Sequence, residues 1–236
     1  MNIALIGYGK MGKAIEQIAL KAGHSISCIV HSSDNLPLLA QSDVDVAIEF
    51  TQPESAFENL SFCINSNIPV ISGTTGWIDR LQEIERLCKD KDGTFLYASN
   101  FSIGVNLFFE LNNWLADKMA QLDFTPAMKE VHHTEKKDSP SGTAITLAEG
   151  IIASHPSIEG WINEESADSK KLGIVSERTP NVPGKHIVSY SSPLESIDIT
   201  HTAHDRSVFA EGVVKVAEWI HQKKGVFTMS DFINDN

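Results

Sequence analysis

The chain has 236 residues, 42% hydrophobic and 21% charged, with 15 Gly and 9 Pro. That is the composition of a folded globular protein, and it excludes a disordered, collagen-like or disulfide-stapled chain. The formal net charge of −12, from 19 Lys+Arg against 31 Asp+Glu, argues against nucleic acid as a partner. A small anion stays admissible, because a local nest of backbone N–H groups outweighs a diffuse field.

No apolar run approaches the ~20 residues of a membrane span, so no membrane partner is expected. The segment Met1–Gly7 has no basic stretch and meets a glycine turn at once, unlike a signal peptide. Cys28, Cys63 and Cys88 are far apart and form no CxxC or CxxH pattern. Neither a zinc site nor a disulfide framework is suggested, and a reducing, cytoplasmic setting is expected.

Asn2–Ile6 reads as a strand running into Gly7-Tyr8-Gly9-Lys10-Met11-Gly12. Met11, Ile15, Ile18, Ala19 and Ala22 then recur at helical spacing, with Gly23 as a stop. Further strands are predicted at Ser25–Val30, Val44–Phe50, Ile68–Ser72 and Thr94–Ala98, with helices at Glu54–Asn65 and Ile78–Lys89. Strands alternating with helices imply crossover connections, hence a doubly wound, Rossmann-like parallel sheet.

After Asn100 the rhythm changes. Ile103–Met119 carries apolar residues along one helical face, and Ala127–His133 reads as a strand followed by a helix at Thr143–Ser154. A less hydrophobic connection, His155–Ser169, leads to three strands, Leu172–Arg178, His186–Ser191 and Ser196–His201. A helix at Val208–His221 and a turn at Ser230–Asn234 close the chain. Strands without helices between them indicate an antiparallel or mixed sheet in a second, α+β domain.

Gly7-x-Gly9-x-x-Gly12 follows a strand and opens a helix, the context that a dinucleotide fingerprint requires. The first glycine permits the turn, the second lets backbone approach a pyrophosphate, and the third lets helix and strand pack closely. The same text also suits a plain tight turn. Val30-His31-Ser32-Ser33-Asp34 follows the second strand, with no carboxylate at the strand end to favour NAD and no arginine to seal NADP. The balance leans to NADPH over NADH. Phe50-Thr51 and Gly73-Thr74-Thr75-Gly76 follow the third and fourth strands, where such sheets bind ligands. Small side chains and amides there suit a nicotinamide ring, or a loop that merely needs glycine torsions.

The densest polar stretch runs from Glu130 to Ala144 and includes His132-His133, Lys136 and Ser141-Gly142-Thr143. Adjacent histidines on a strand face opposite ways, so only one addresses a given cleft. A metal is not expected, since ligands on one strand prefer i, i+2 spacing and no acidic or thiol partner stands out. A histidine beside Lys136 and ahead of a helix start is a candidate proton donor. Ser141 suits a helix N-cap, leaving the N–H groups of Gly142 and Thr143 for a carboxylate, although an ordinary capped helix has the same pattern. Cations beside an anion hole imply a small, carboxylate-bearing substrate.

At this point the chain resembles the 4-hydroxy-tetrahydrodipicolinate reductase (dihydrodipicolinate reductase) family of lysine biosynthesis by the diaminopimelate route. The resemblance rests on Glu-x-His-His-x-x-Lys-x-Asp-x-Pro-Ser-Gly-Thr-Ala at Glu130–Ala144, on Gly7–Gly12, Phe50-Thr51, Gly73–Gly76, Ala98–Ser102 and Gly104–Asn106, and on Thr200-His201-x-Ala203 with Arg206. It implies an NAD(P)H-dependent oxidoreductase that delivers a hydride from nicotinamide C4 and a proton from His132 as general acid, with Lys136 holding the substrate and assisting proton delivery. His133, Lys136, Gly142 and Thr143 would surround a dicarboxylate. Gly73, Thr75, Ser99 and Phe101 would line the nicotinamide side, Asn100 would also bind the cofactor, and Lys10, Met11 and His31 would lie near the phosphates and adenosine. A nucleotide domain at 1–101 and 207–236, a substrate-binding and oligomerisation domain at 102–206, and a homotetramer would follow. His31 and Ser32 stand where many relatives carry an acid and an arginine, and the region around 155–170 looks trimmed. Two rival readings are another two-domain NAD(P)-dependent dehydrogenase of a small carboxylate and a non-catalytic dinucleotide sensor. The first leaves the Ser141–Thr143 anion site unexplained, and the second would tolerate loss of His132.

Overall fold

The computed structural model describes residues 1–235, apart from the side chains of Ser33 and Asp34. The chain forms two compact units, 1–103 with 207–236, and 104–206.

In the first unit, β1 (Asn2–Ile6), β2 (Ser25–Val30), β3 (Val46–Glu49), β4 (Val70–Ser72), β5 (Thr94–Tyr97) and β11 (Gly225–Phe227) make a six-stranded sheet in the order β11-β5-β4-β3-β1-β2. Every neighbouring pair is parallel. The central strands are continuous apolar runs because both faces are covered. Ile3 and Leu5 point into one core, with α1 (Lys10–Lys21), α6 (Ser207–Ile220) and α7 (Met229–Asn234). Ala4 and Ile6 point into the other, with α2 (Pro53–Asn65) and α3 (Leu81–Asp90), as strand alternation demands.

Several elements differ from expectation. β3 has only four residues, since the chain turns at Phe50. The helix expected from Ile78 begins as a 3₁₀ turn, Ile78–Arg80, before α3. The closing turn is a short helix held by a capping box between Thr228 and Asp231. A 3₁₀ segment at Ser33–Gln41, with Pro37 inside, and the three-residue β11 carry no readable periodicity.

In the second unit, β6 (Thr125–His132), β7 (Gly160–Ile162), β8 (Lys171–Arg178), β9 (Gly184–Ser191) and β10 (Ser196–Ala203) form a mixed sheet in the order β10-β9-β6-β8-β7. β6 pairs antiparallel with β9 and parallel with β8. The trimmed-looking connection thus supplies a strand, β7. The helices α4 (Ile103–Met119) and α5 (Gly142–Ser154) bury Phe108, Leu115, Leu147 and Ile151 against Met128, Ile174, Val188 and Tyr190. The buried Asn112 amide donates to the Leu147 carbonyl, 3.0 Å, tying the two helices together. Along β6 the buried residues are Met128, Glu130 and His132, so alternation carries two polar side chains into the covered face at the strand's end. Among the described residues no helix is long and apolar enough to cross a membrane.

Candidate active site

The parallel sheet reverses its strand order at β1, which pairs with β2 on one side and β3 on the other. Ligands of open parallel sheets bind beyond the carboxyl ends of the strands at such a reversal. Those ends carry Gly7 and Phe50-Thr51. Gly7 has φ +91°, and a Cβ there would stand 2.0 Å from the Phe50 carbonyl oxygen, so glycine is required twice over. A Cβ on Gly12 would stand 2.4 Å from the Gly7 carbonyl oxygen, which is how closely α1 packs on the turn. Gly9 is different, with nothing within 4 Å of a Cβ. Its missing side chain leaves space. α1 begins there with no side-chain cap and no acid in its first turn, so its N-terminal amides suit a phosphate.

Two cavities of about 430 and 480 Å³ share Gly9, Phe50, Thr51 and Gln52. One extends to Gly7, His31 and Ser32, and the other to Lys10, Met11, Gly12, Gly73 and Thr75. A groove with a glycine waist and two ends fits a dinucleotide. Gly73 is needed where a Cβ would stand 2.0 Å from the Phe50 ring. Ser99 is exposed and Asn100 half-buried just past β5. Phe101 is 3% exposed and packs on Phe50 with ring centroids 5.8 Å apart, so its ring belongs to the core. The expected reading of Asp34 falls outside the described residues.

One residue beneath this groove escaped the sequence reading. Glu49, fully buried at the end of β3, accepts hydrogen bonds from the hydroxyls of Thr51, Ser72 (2.6 Å) and Thr74 (2.8 Å). The Thr74 hydroxyl oxygen accepts from the Thr51 N–H, 2.8 Å. Glu49 thereby ties the Phe50-Thr51 turn to the Gly73–Gly76 turn. The available signal was a carboxylate inside the apolar run Val46-Ala47-Ile48-Glu49-Phe50.

In the second unit β6 is the centre of a polar ladder. Glu130 lies opposite His186 on β9 and Ser176 on β8, and His132 lies opposite Arg178. The Glu130 carboxylate is fully buried and accepts the Ser141 N–H at 3.1 and 3.2 Å on its two oxygens. Its Oε1 is 3.5 Å from the Arg178 guanidinium, and its Oε2 is 3.4 Å from His132 Nδ1 and 3.7 Å from His186 Nε2. Ser141 caps α5 by accepting from the Ala144 N–H, 3.2 Å, and its Oγ is 3.2 Å from His186 Nε2. Gly142 at the helix start is exposed, and Thr143 is half-buried. Lys136 Nζ lies 2.9 Å from Asp138 Oδ2.

Burial pushes the His132 imidazole down to about 4, with the charges of Lys136 and Arg178 adding to the fall and Glu130 and Asp138 opposing it. Burial, then neighbouring His132, takes His186 down to about 3. Burial alone would raise the Glu130 carboxyl, but the hydroxyls of Ser141 and Ser176 and the charge of His132 hold it below the usual range. The ligand-free protein therefore keeps both histidines neutral at pH 7. As pH falls below about 6.5, an unfolded chain protonates both imidazoles, while the folded chain does so only near 4 and 3. Stability is lost across that window, and the lowered Glu130 carboxyl adds a loss in the same direction below about 4.5. The urea midpoint should fall between about pH 7.5 and about pH 5; a midpoint constant over that range would contradict this reading.

Glu130, His132 and His186 bring ligand atoms within 4.8 Å of one another, the one such group among the described residues. The i, i+2 acid that the sequence reading did not see is Glu130. Both of its oxygens are already engaged by Ser141, however, and the cationic Arg178 and Lys136 oppose a further cation. His133 faces elsewhere, into a cavity of about 430 Å³ that it lines with Pro180, His204 and Arg206 but without His132 or Lys136. A further cavity, about 590 Å³, lies by Thr125–Lys129 and Glu165–Gly173 and also lacks both.

A parallel sheet whose order reverses at a glycine turn, with a separate mixed-sheet unit carrying a buried acid–base cluster, defines a two-domain enzyme of Rossmann-like build. Residues 1–101 match the family model described as dihydrodipicolinate reductase, N-terminus, and residues 104–233 match its C-terminus. A 4-hydroxy-tetrahydrodipicolinate reductase of Christiangramia forsetii is 47% identical over 236 residues, covering 100% of this chain and 98% of the relative. That of Buchnera aphidicola from Schizaphis graminum is 36% identical over 275 residues, covering 99% and 97%. A dipicolinate-bound dihydrodipicolinate reductase from Paenisporosarcina has the same fold, with a TM-score of 0.79 at 22% identity and 97% of each chain covered. The chain belongs to the dihydrodipicolinate reductase family. It is a pyridine-nucleotide-dependent oxidoreductase.

Proposed function

We propose that the protein reduces 4-hydroxy-tetrahydrodipicolinate to tetrahydrodipicolinate in the diaminopimelate route to lysine, with His132 as proton donor. The observation that carries this reading is the joining of His132, through Glu130 and Ser141, to the start of α5, with the Lys136 charge acting on the same imidazole. Lys136 exchanges its Asp138 partner for a substrate carboxylate, and Gly142 and Thr143 at the helix N-terminus receive carboxylate charge. His133 contributes from the cavity that holds His204 and Arg206. The two negative charges of the substrate favour the imidazolium, so His132 gains its proton as the ligand binds. Fixing the ring by its carboxylates orients it for reaction.

Gly7, Gly9, Lys10, Met11, Gly12, His31, Phe50, Thr51, Gly73, Thr75, Ser99, Asn100 and Phe101 are assigned to the nucleotide, which supplies the hydride when bound. His31 and Ser32 at one end of the groove, without a carboxylate, favour NADPH over NADH. Residues 1–101 with 207–236 act as the nucleotide domain, and 102–206 bind substrate and assemble a cytoplasmic homotetramer. Exposed Leu107, Leu111 and Trp114 on α4 supply apolar area for subunit contact.

Lys136→Ala is expected to raise the substrate KM and lower kcat together, because it removes both anchoring and orientation. An unchanged KM would refute the anchoring role. Assays of the wild type with NADPH and NADH side by side test the coenzyme assignment, which a tenfold preference for NADH would overturn.

A further inference from the structure

Among the described residues, Glu130 is the one acidic or basic side chain of the second unit with no exposed surface, yet no chemical step above uses it. Its two oxygens serve different groups. Oε1 is on the Arg178 side, 3.5 Å from the guanidinium, while Oε2 is 3.4 Å from His132 Nδ1. The Ser141 N–H bonds both oxygens and fixes the carboxylate's orientation. The His132 ring in turn has an inner and an outer edge. Nδ1 is buried 3.4 Å from Oε2 and makes no hydrogen bond in the ligand-free protein. Nε2 is on the opposite edge, where a Cβ on Gly184 would stand only 3.1 Å away. Glycine at that position keeps the outer edge clear.

We propose that Glu130 is a positioning residue that holds the neutral His132 ring as its Nδ1–H tautomer, so that the proton delivered to substrate is carried on Nε2. This rests on His132 being the proton donor. The Nε2–H bond breaks, its proton joins the substrate atom that carries the new electron pair, and the Nδ1 proton stays toward Glu130. The other charged or titratable groups around the ring are His186, Arg178, Lys136 and Asp138. Arg178 and Lys136 carry no acceptor, and among the described residues Oε2 of Glu130 is the carboxylate oxygen recorded within 4 Å of Nδ1. The two-sided arrangement also dictates what an amide would do. In Glu130→Gln the carbonyl oxygen turns to Arg178, and the NH₂ group faces the histidines and demands an acceptor at Nδ1.

The test is ¹⁵N spectroscopy of the full chain labelled at histidine, with His132→Gln used to assign the signal. The wild type should show neutral His132 protonated at Nδ1, and Glu130→Gln should show it protonated at Nε2. Nε2 protonation in the wild type would overturn the proposal, even if the variant fails to fold. In kinetics, Glu130→Gln should lower kcat about 10²-fold, leave the coenzyme KM unchanged and move the alkaline limb of the kcat profile to lower pH, with partial recovery in Glu130→Asp. A loss that only tracks the folded fraction, with an unshifted profile, would mean a structural role alone. If the wild type does not turn over 4-hydroxy-tetrahydrodipicolinate, the functional reading fails, and the tautomer measurement still decides the role of Glu130.

Discussion

Replacing His132 with glutamine should cut turnover by roughly 10²–10⁴ while leaving dinucleotide affinity unchanged. The separation follows from the architecture, since the residues assigned to the nucleotide all lie in the first unit and His132 ends β6 in the second. A neutral histidine with its pKa near 4 is a poor acid at rest. Burial is the main cause, with Lys136 and Arg178 adding to it, and a bound dianion offsets those two cations. Binding of dipicolinate, the dicarboxylate carried by the Paenisporosarcina relative, should therefore raise the His132 pKa, so that binding takes up protons in the wild type increasingly as the pH falls below 7. The same titration of His132→Gln in buffers of different ionisation enthalpy should show almost none. A variant with full activity, or with undiminished proton uptake, would remove His132 from the acid role.

Two glycines of one turn should fail in opposite ways. Gly7→Ala places a Cβ 2.0 Å from the Phe50 carbonyl oxygen at a residue with φ +91°, so backbone must move. A loss of about 3 kcal/mol or more is expected, read from the urea midpoint. Gly9→Ala meets nothing within 4 Å and should change stability by less than about 1 kcal/mol. Its methyl group instead occupies the waist of the groove, so the dinucleotide Kd should rise about tenfold or more through loss of close backbone approach. Undiminished nucleotide binding by a well-folded Gly9→Ala protein would show that the pyrophosphate does not cross this turn.

The contrast between these glycines was invisible in the fingerprint, which treats Gly7 and Gly9 alike. What the text made legible was periodic and local. β1, β2 and α4 were read to the residue, because a buried apolar run in β1, alternation of serine with apolar residues in β2 and apolar spacing along one face of α4 each end at glycine or polar text. β7 and β11 have three residues each, too few for any periodicity. The segment from Glu130 to Thr143 announced its chemistry through the density of polar residues in one stretch. The support around it did not. His186 and Arg178 reach His132 only because β9 and β8 flank β6 in one register, and strand pairing is not written in local sequence. Glu49 was hidden in the same way, as one carboxylate in an apolar strand whose hydroxyl partners come from β4 and two different turns.

The most direct measurement is the absorbance of the reduced nicotinamide when the wild-type protein meets enzymically generated 4-hydroxy-tetrahydrodipicolinate. Substrate-dependent loss of that band is expected, one coenzyme per substrate reduced and faster with NADPH. No loss with either coenzyme would contradict the assignment of this site as a 4-hydroxy-tetrahydrodipicolinate reductase.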